Sequence, residues 1–206
     1  MIRASQRSQS GFTLIEVMIA IGIMTVGSLG ILAMHNAVSS ANRAANEMNT
    51  AIAITERWLE RIDRDALGWT QEGLNSSSLS NTDYLSNIAG TVADKDWFTP
   101  SPSDSSESYR FTYTGADDLS GNNTKYCVNL RMRWLRQGSS ARVDIRTFWF
   151  REGYVLGGAK HGKWVGGSDF RTADCDAAAA DGWELGKAPN VNVIFASTVV
   201  RWLRRE

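Results

Sequence analysis

The first pattern along the chain is an apolar run from Phe12 to Met34, which holds one formal charge, that of Glu16. At about 1.5 Å per residue, a helix over this run is roughly 34 Å long, which matches the hydrocarbon thickness of a bilayer. Arg3 and Arg7 precede the run and no acid does. The run therefore predicts a single membrane span, with residues 1–11 in the cytoplasm and the remainder across the membrane.

A secretory signal peptide is the competing interpretation of this run. It fits poorly, because the run is long, no Ala-x-Ala site follows it, and a helical pattern continues beyond it. Glu16 is the anomaly, since a carboxylate at the bilayer centre costs on the order of 3 kcal/mol and less near an interface. Two explanations stay open here: Glu16 lies shallow enough to reach the headgroups, or it meets a cationic partner within an assembly.

The helical pattern continues through residues 35–64, where no proline or turn cluster interrupts it. Apolar and small residues recur at spacings of three and four, which predicts one helix face. We expect this face to dock on the chain's own globular domain over residues 48–62, to meet neighbouring helices over residues 33–45, and to end near Arg64. Its members are Val38, Ala41, Ala45, Met48, Ile52, Thr55, Leu59 and Ile62.

Residues 65–206 are predicted to form a globular domain. Residues 67–108 are rich in Ser, Asn and Asp and predict loops, with a short helix near residues 81–89. Strand patterns follow over residues 109–114, 124–136, 142–150 and 190–203. A long helix on an antiparallel sheet of about four strands is an α+β fold. Residues 152–189 show no clear pattern, which is typical of a functional or mobile loop.

Charge adds little to this picture. The chain has 22 basic and 22 acidic side chains, so its formal net charge is zero and no nucleic-acid partner is expected. Arg131 and Arg133 project from one strand face, with Arg146 adjacent. These arginines predict a solvated face rather than a contact with DNA or a protein.

Candidate chemistry is weak throughout the chain, and we assign no catalytic, metal or cofactor residue. The two cysteines are too few and too far apart to suggest a zinc site. The stretch GGAKHGKW nearly matches a phosphate-binding loop, but Trp164 stands where the magnesium-binding Ser or Thr belongs. No nucleophile motif of the Gly-x-Ser-x-Gly kind occurs. ADDLSGNN lacks the spacing of a calcium loop and predicts a plain turn.

The stretch SGFTLIEVMIA, residues 10–20, resembles the class III signal of type IV pilins and pseudopilins. The resemblance implies that a prepilin peptidase cuts between Gly11 and Phe12 and that the new N-terminal Phe12 is methylated. It also implies that Glu16 pairs with the N-terminal amine of a neighbouring subunit, which would offset its insertion cost. The resemblance extends over about the first 65 residues, and pilins share the predicted α+β architecture.

Three glycines in the apolar run suggest which subclass of pilin the chain resembles. Gly22, Gly27 and Gly30 lie in the run where many major pilins carry a proline, and AIAITERWLERI follows at residues 51–62. This combination is similar to minor pilins of the PilV type and to I-type pseudopilins of type II secretion. The resemblance implies a minor pilin that primes type IV pilus assembly and lies at the pilus tip. The alternatives are an I-type pseudopilin, or a single-span membrane protein with a separate binding role.

The same resemblance implies partners and a location. The expected partners are other minor pilins, the major pilin, a tip adhesin, the prepilin peptidase and the inner-membrane assembly platform. Before assembly the chain would span the inner membrane with its C-terminal domain in the periplasm. Cys127 and Cys175 should pair in that oxidising compartment, the alternative being two unpaired thiols. Closing 47 intervening residues would contribute about 4 kcal/mol on the chain-entropy model.

Overall fold

The computed structural model describes residues 11–69, 78–88, 96–150, 155–156, 159–160, 175–182 and 191–201. A long N-terminal helix and a four-stranded antiparallel sheet form the α+β arrangement that the sequence predicts, like that of pilins. The chain divides into two compact units, residues 1–46 and 47–206. The predicted domain limits after residues 34 and 64 both fall inside the helix, which runs unbroken through them.

The elements are as follows. Helix α1 spans Leu14–Trp69, and a 3-10 helix spans Leu85–Ile88. The main sheet consists of β1 (Arg110–Phe111), β2 (Tyr126–Arg136), β3 (Ser140–Phe150) and β6 (Val191–Arg201), in the order β1-β2-β3-β6. Strands β4 (Val155–Leu156) and β5 (Ala159–Lys160) form a separate hairpin, and helix α2 spans Ala177–Gly182.

Helix α1 ends at Trp69, five residues beyond the predicted end near Arg64. The residues between them contain no proline, so nothing in the backbone stops the helix earlier. Gly68 lies in this last turn, and a Cβ placed on it would lie 2.6 Å from the carbonyl oxygen of Asn81. A residue without a side chain is therefore required where the returning chain crosses the end of the helix.

The buried face of α1 in the second unit differs from the predicted one. The predicted face included Met48 and Ile52, and both are exposed. The residues that are buried in the structure lie about a quarter turn around the helix from the predicted face. Only Thr55 and Ile62 belong to both the predicted and the observed face. The buried residues are Ala51, Ile54, Thr55, Trp58, Arg61, Ile62 and Trp69. Docking of this half of the helix was predicted correctly, but its rotation was wrong.

Strands β2, β3 and β6 pair in a register that sorts their side chains onto two faces, with one shift between Trp134 and Arg136 at the end of β2. Val128 lies opposite Thr147, and Thr147 lies opposite Ile194. This face meets α1, because the hydroxyl of Thr147 contacts that of Thr55 at 2.7 Å. We call it the helix-side face, and the opposite one, which carries Cys127 and Arg146, the outer face.

The outer face is partly solvated at Arg131, whose side chain is 38% exposed, but it is buried around Arg146, where the sequence predicts solvent. Arg146 is 3% exposed. Helix α2 and the residues just before it cover this part of the face, since Cys175 is bonded to Cys127 and Ala177 contacts Arg146. The prediction that residues 152–189 lack regular structure is therefore wrong for the described parts, which include the β4–β5 hairpin and α2.

Strand β1 is shorter than the predicted strand over residues 109–114. It ends at Phe111 because the chain turns at once: Thr112 donates its N–H to the carbonyl of Ala116 at 2.8 Å, and Gly115 has a φ of 80°. Phe98 forms a further bridge to β2, with the N–H of Phe98 2.8 Å from the carbonyl of Leu130. Strand β2 thus has partners on both of its edges.

Candidate functional site

The N-terminal segment that carries the predicted processing site begins in extended backbone and enters α1 within three residues. Gly11, Phe12 and Thr13 precede the helix. The carbonyl of Thr13 accepts the N–H groups of Glu16 at 3.1 Å and Val17 at 3.3 Å, which closes the first turn. Gly11 and Phe12 are exposed, so the peptide bond between them is accessible to another protein.

Glu16 lies in the first turn of α1, and its side chain is exposed. A carboxylate in this position is favoured by the partial positive charge at a helix N-terminus, by about 0.3–1 kcal/mol. Among the described residues, no ion pair involves Glu16. The geometry leaves this carboxylate available to a cation from outside the described chain.

The apolar part of α1 is suited to a hydrocarbon environment. Its most apolar 18-residue window has a mean hydropathy of 2.3, and none of that window is buried within the chain. The hydroxyls of Thr25 and Ser28 donate to the helix carbonyls of Gly22 and Met24, both at 2.8 Å. These hydroxyls are therefore satisfied without water, as a membrane interior requires. By length and composition this helix can cross a membrane.

Gly22, Gly27 and Gly30, the glycines of the apolar run, have no contact among the described residues that explains them. A Cβ added to Gly22, Gly27 or Gly30 meets nothing within 4 Å. The helix is continuous through all three. If small residues are needed here for close packing, the packing partner belongs to another molecule.

Comparison with known families agrees with this geometry. The family described as "Prokaryotic N-terminal methylation motif" matches residues 6–32, which contain Gly11, Phe12 and Glu16. No curated protein and no solved structure matches the chain. A methylation motif at the start of an apolar helix, followed by an α+β domain, indicates a type IV pilin-like protein or a pseudopilin. The N-terminal apolar helix with this motif fits anchoring in a membrane.

A second set of contacts attaches the segment around α2 to the outer face. Cys127 on β2 is joined by a disulfide to Cys175, with 5.3 Å between their Cα atoms. The side chain of Asn129, two residues along β2, donates to the carbonyl of Cys175 at 3.0 Å. The hydroxyl of Thr99 accepts the N–H of Ala177 at 2.9 Å. The turn leading into α2 is thus fixed covalently and by hydrogen bonds.

Arg146 is the centre of this attachment. Its guanidinium donates to the side-chain oxygen of Asn129 at 3.0 Å and to the carbonyl of Ala177 at 3.1 Å, and it pairs with Asp181 of α2. Its cation lies over the ring of Trp97, 4.5 Å from the centroid. Burial lowers the pKa of Arg146 from its usual value, while Asp181 acts against that shift. Sequence reasoning missed this role, because an arginine alternating with apolar residues is typical of a solvated strand face.

Arg61 plays the corresponding part on α1. Its guanidinium donates to the carbonyl of Ser108 at 3.0 Å and pairs with Asp117 at 2.8 Å and Glu107 at 3.4 Å. The cation also lies 5.0 Å from the ring centroid of Trp58. A buried arginine needs this number of partners, because its charge cannot be left without compensation in a dry interior. Arg61 thus joins the helix to the loop before β1, through Glu107 and Ser108, and to the turn after β1, through Asp117.

Asp118 organises the turn ADDLSGNN, in which the sequence predicts a plain turn. Its carboxylate accepts the hydroxyl of Thr124 at 2.6 Å and the N–H groups of Gly121 at 2.9 Å and Asn123 at 3.1 Å. Burial opposes ionisation, but these hydrogen bonds and one from Ser120 outweigh it and lower the pKa of Asp118. Both carboxylate oxygens of Asp118 therefore accept hydrogen bonds from residues 120–124 of the same turn.

Proposed function

We propose that this chain is a minor pilin that helps to initiate type IV pilus assembly and lies in a tip complex with other minor pilins. The observation that carries the proposal is Glu16, a carboxylate in the first turn of an apolar helix, within the methylation motif of residues 6–32. A carboxylate is costly inside a bilayer, so its presence is explained best by a cationic partner that the assembly supplies.

In this proposal the prepilin peptidase removes residues 1–11, and the methylated amine of Phe12 becomes the partner of Glu16 in an adjacent subunit. The helix holds the precursor in the inner membrane, with its N-terminus cytoplasmic and its C-terminal domain periplasmic. The assembly platform then transfers it into the filament, where it contacts other minor pilins, the major pilin and a tip adhesin. The disulfide between Cys127 and Cys175 supports an oxidising compartment for the domain.

Two features favour a minor pilin of the PilV type over a shaft subunit. Gly22, Gly27 and Gly30 stand in a helix that has no proline, whereas many major pilins carry one there. The chain also carries a long connection of 38 residues, 152–189. A densely repeated shaft subunit would accommodate a connection of this length poorly, while a tip subunit has fewer neighbours to avoid.

Mass spectrometry of membrane-extracted protein tests the processing step. We expect a chain that begins at Phe12 and carries one added methyl group. Loss of Arg3 and Arg7 changes the side-chain count from 22 basic and 22 acidic residues to 20 and 22, a charge of −2. Gly11→Val serves as the matched control and should leave residues 1–11 in place. An intact leader on the wild-type chain would contradict membership in this class of protein.

Photocrosslinking in cells tests the tip position. A photoreactive residue at Arg43, on the helix beyond the apolar run, should crosslink to other minor pilins, and loss of the chain should reduce pilus number while the major subunit remains in the cell. Crosslinks between copies of this chain along the shaft would identify a major pilin instead. Crosslinks to pseudopilins, with impaired export of secreted proteins, would identify an I-type pseudopilin of type II secretion.

A further inference from the structure

The strand register gathers arginines on the outer face, at the end of the sheet where β2 turns into β3. Residues that lie directly opposite each other in an antiparallel pair share a face. Arg136 lies opposite Ser140, and Ser140 lies opposite Arg201, so these three residues form one row across β2, β3 and β6. The next two rows contain Arg142 on β3 and Arg131 on β2. We call these four arginines the basic surface.

The basic surface has an excess of positive charge. Arg131 and Arg142 share the carboxylate of Asp144, at 3.1 Å and 2.7 Å, and both remain more than a third exposed. Arg136 and Arg201 are exposed, and neither forms an ion pair with another described residue. Four guanidinium groups and one carboxylate leave a net charge of +3 on these side chains. Although the whole chain has no net charge, an electrostatic contact depends on the local distribution of charge.

Exposed aromatic surface adjoins these arginines. Phe195 on β6 is 58% exposed, and its ring lies 6.0 Å from the ring of Trp97. The guanidinium of Arg131 lies 4.8 Å from the centroid of the Trp97 ring. One cleft, which encloses about 360 Å³, is lined by Phe195, Trp97, Arg131 and Arg142. The cleft therefore offers an exposed apolar ring directly beside guanidinium groups.

We propose that the basic surface and Phe195 bind a single strand of nucleic acid. The arginines contact phosphate groups, and one unpaired base stacks on the ring of Phe195. A positively charged surface beside an accessible aromatic ring is the arrangement with which proteins bind single strands without reading their sequence. The three rows of arginines extend over about 14 Å along the strands and about 10 Å across them. At about 3.4 Å for each nucleotide, this surface accommodates about three or four nucleotides.

The position of the basic surface argues against the lipid headgroups of the membrane that would anchor the chain. Trp149 donates to Glu47 at the start of the second unit, whereas Trp134, two residues before Arg136, contacts the ring of Trp69 at the end of α1. The helix between Glu47 and Trp69 spans roughly 33 Å. The arginines therefore lie at the end of the sheet opposite to the one from which α1 continues towards the apolar run.

A duplex and an acidic protein also fit these observations less well. The bases of a duplex are already stacked on one another, so the exposed ring of Phe195 would have no role. An acidic protein segment would neutralise the arginines, but only a nucleotide carries both a phosphate and a flat base in every unit. The proposal concerns the second unit only, so it stands independently of processing at Gly11 and of the type of filament.

Fluorescence anisotropy tests the binding, with the full-length chain in non-ionic detergent and a labelled single strand of about 20 nucleotides. The logarithm of the affinity should fall with the logarithm of the salt concentration with a slope of about −2 to −3, because each neutralised phosphate of a single strand contributes about −0.7. In physiological salt, a duplex of the same sequence should compete at least about fivefold less effectively, because it offers no base to Phe195. The proposal would be overturned by a lack of binding. It would also be overturned if the duplex, polyglutamate or phosphatidylglycerol vesicles displaced the labelled strand as effectively as unlabelled single strand does.

Charge variants test the role of the arginines. Arg136→Gln and Arg201→Gln should each lower the affinity at least about threefold in low salt and make the salt slope shallower by about 0.7, because one phosphate contact is lost. Arg43→Gln is the matched control, since it removes the same charge from an exposed position of α1 in the first unit. Thermal unfolding midpoints close to that of the wild type report that the variants are folded. Unchanged affinity and slope in both folded variants would contradict the proposal.

Replacement of Phe195 tests the stacked base. Phe195→Ala should lower the affinity for the single strand at least about fivefold and leave the salt slope unchanged, because stacking releases no counterions. Phe195→Leu keeps an apolar side chain on β6 but has no flat ring, so it should have the same effect without disturbing the fold. Tyr113→Ala, at an exposed aromatic position in the turn after β1, is the control. If both Phe195 variants bound the strand as tightly as the wild type, the proposal would be wrong.

Discussion

The hydroxyls of Thr55 on α1 and Thr147 on β3 lie 2.7 Å apart in the core of the second unit. Thr55 also lies 2.7 Å from the carbonyl of Ala51, to which its proton is donated. Since each hydroxyl has one proton, Thr147 is the donor to Thr55. This pair is one of the polar links between the helix and the sheet, together with the bond from Trp149 to Glu47.

The first prediction uses the asymmetry of this pair. Thr55→Val leaves the buried hydroxyl of Thr147 without its acceptor, so it should lower the free energy of unfolding by about 1–3 kcal/mol. Thr147→Val should cost less, because Thr55 keeps its bond to Ala51. The double variant should recover most of the loss caused by Thr55→Val. Chemical unfolding of the full chain in detergent measures all three, and strictly additive effects would show that the hydroxyls are not coupled.

The second prediction concerns Arg146. Replacing it with Met leaves Asp181 and Asn129 without their partner and removes the cation from Trp97, so we expect a loss of about 3 kcal/mol in unfolding free energy. Arg136→Met is the matched control, because Arg136 lies at the exposed end of β2, and it should change stability by less than about 0.5 kcal/mol. If the two substitutions lowered the free energy of unfolding equally, Arg146 would not hold α2 on the sheet as we infer.

Much of the fold was predictable because its signals are local. The apolar run, the period of two in β2 and β3, and the absence of proline in α1 each depend on nearby residues alone. The rotation of α1 was not predictable in the same way. Met48 and Ile52 are as apolar as Ile54 and Trp58, and the choice between the two faces depends on which one fits the sheet.

The attachment of α2 shows a different limit of sequence reasoning. The pairing of Cys127 with Cys175 was proposed from the compartment alone, and the structure forms that bond. The burial of Arg146 was not predicted, because it depends on Asp181, which lies 35 residues further along the chain. Short motifs carry no information on such distant partners. The residues of the methylation motif, by contrast, are close together in the sequence, so the N-terminal segment could be recognised from neighbouring residues alone.

The third prediction is a pH dependence caused by Asp118. Its pKa is lowered in the folded chain from the usual 3.8, so its ionised form stabilises the fold above about pH 4, and this contribution disappears as the pH falls through the lowered pKa. Asp118→Asn should therefore cost about 1–2 kcal/mol at pH 7, with a smaller difference from wild type at pH 3. Unfolding midpoints at pH 7, 5 and 3 measure this, with the exposed Asp63→Asn as control. A difference that grows on acidification would contradict the assignment.

The fourth prediction concerns the disulfide. Replacing Cys127 and Cys175 together with Ala should lower the unfolding free energy by about 2–4 kcal/mol, because the unfolded chain regains the freedom of the closed loop. The contacts of Arg146 with Ala177 and Asp181 should keep α2 in place, so the folded domain should resist proteolysis near α2 almost as well as wild type. Rapid cleavage there under native conditions would show that the disulfide alone holds the segment.

The fifth prediction concerns Glu16. Replacing it with Ala removes a charge from the apolar run, so membrane insertion should be unchanged or improved. Under the proposed function, incorporation into filaments should fall, because the amine of the neighbouring subunit would lose its counter-charge. The measurement is the amount of variant that co-purifies with sheared pili, with Glu56→Ala, an exposed acid on the same helix, as control. If the Glu16 variant were recovered with sheared pili in normal amounts, Glu16 would not be required for assembly.

The open space around Gly22, Gly27 and Gly30 makes substitutions at these positions sensitive to contacts with other molecules. Each glycine makes a helix less stable than alanine would by roughly 1 kcal/mol, so together the three positions give up about 3 kcal/mol that the isolated chain could keep. Among the residues that the structure describes, no contact compensates for that loss, since an added methyl group would meet no atom within 4 Å. A Gly→Ala exchange at any of the three is therefore a sensor of neighbouring molecules: whatever harm it does in the cell measures how closely another helix approaches, or how far this one must unwind to leave the membrane.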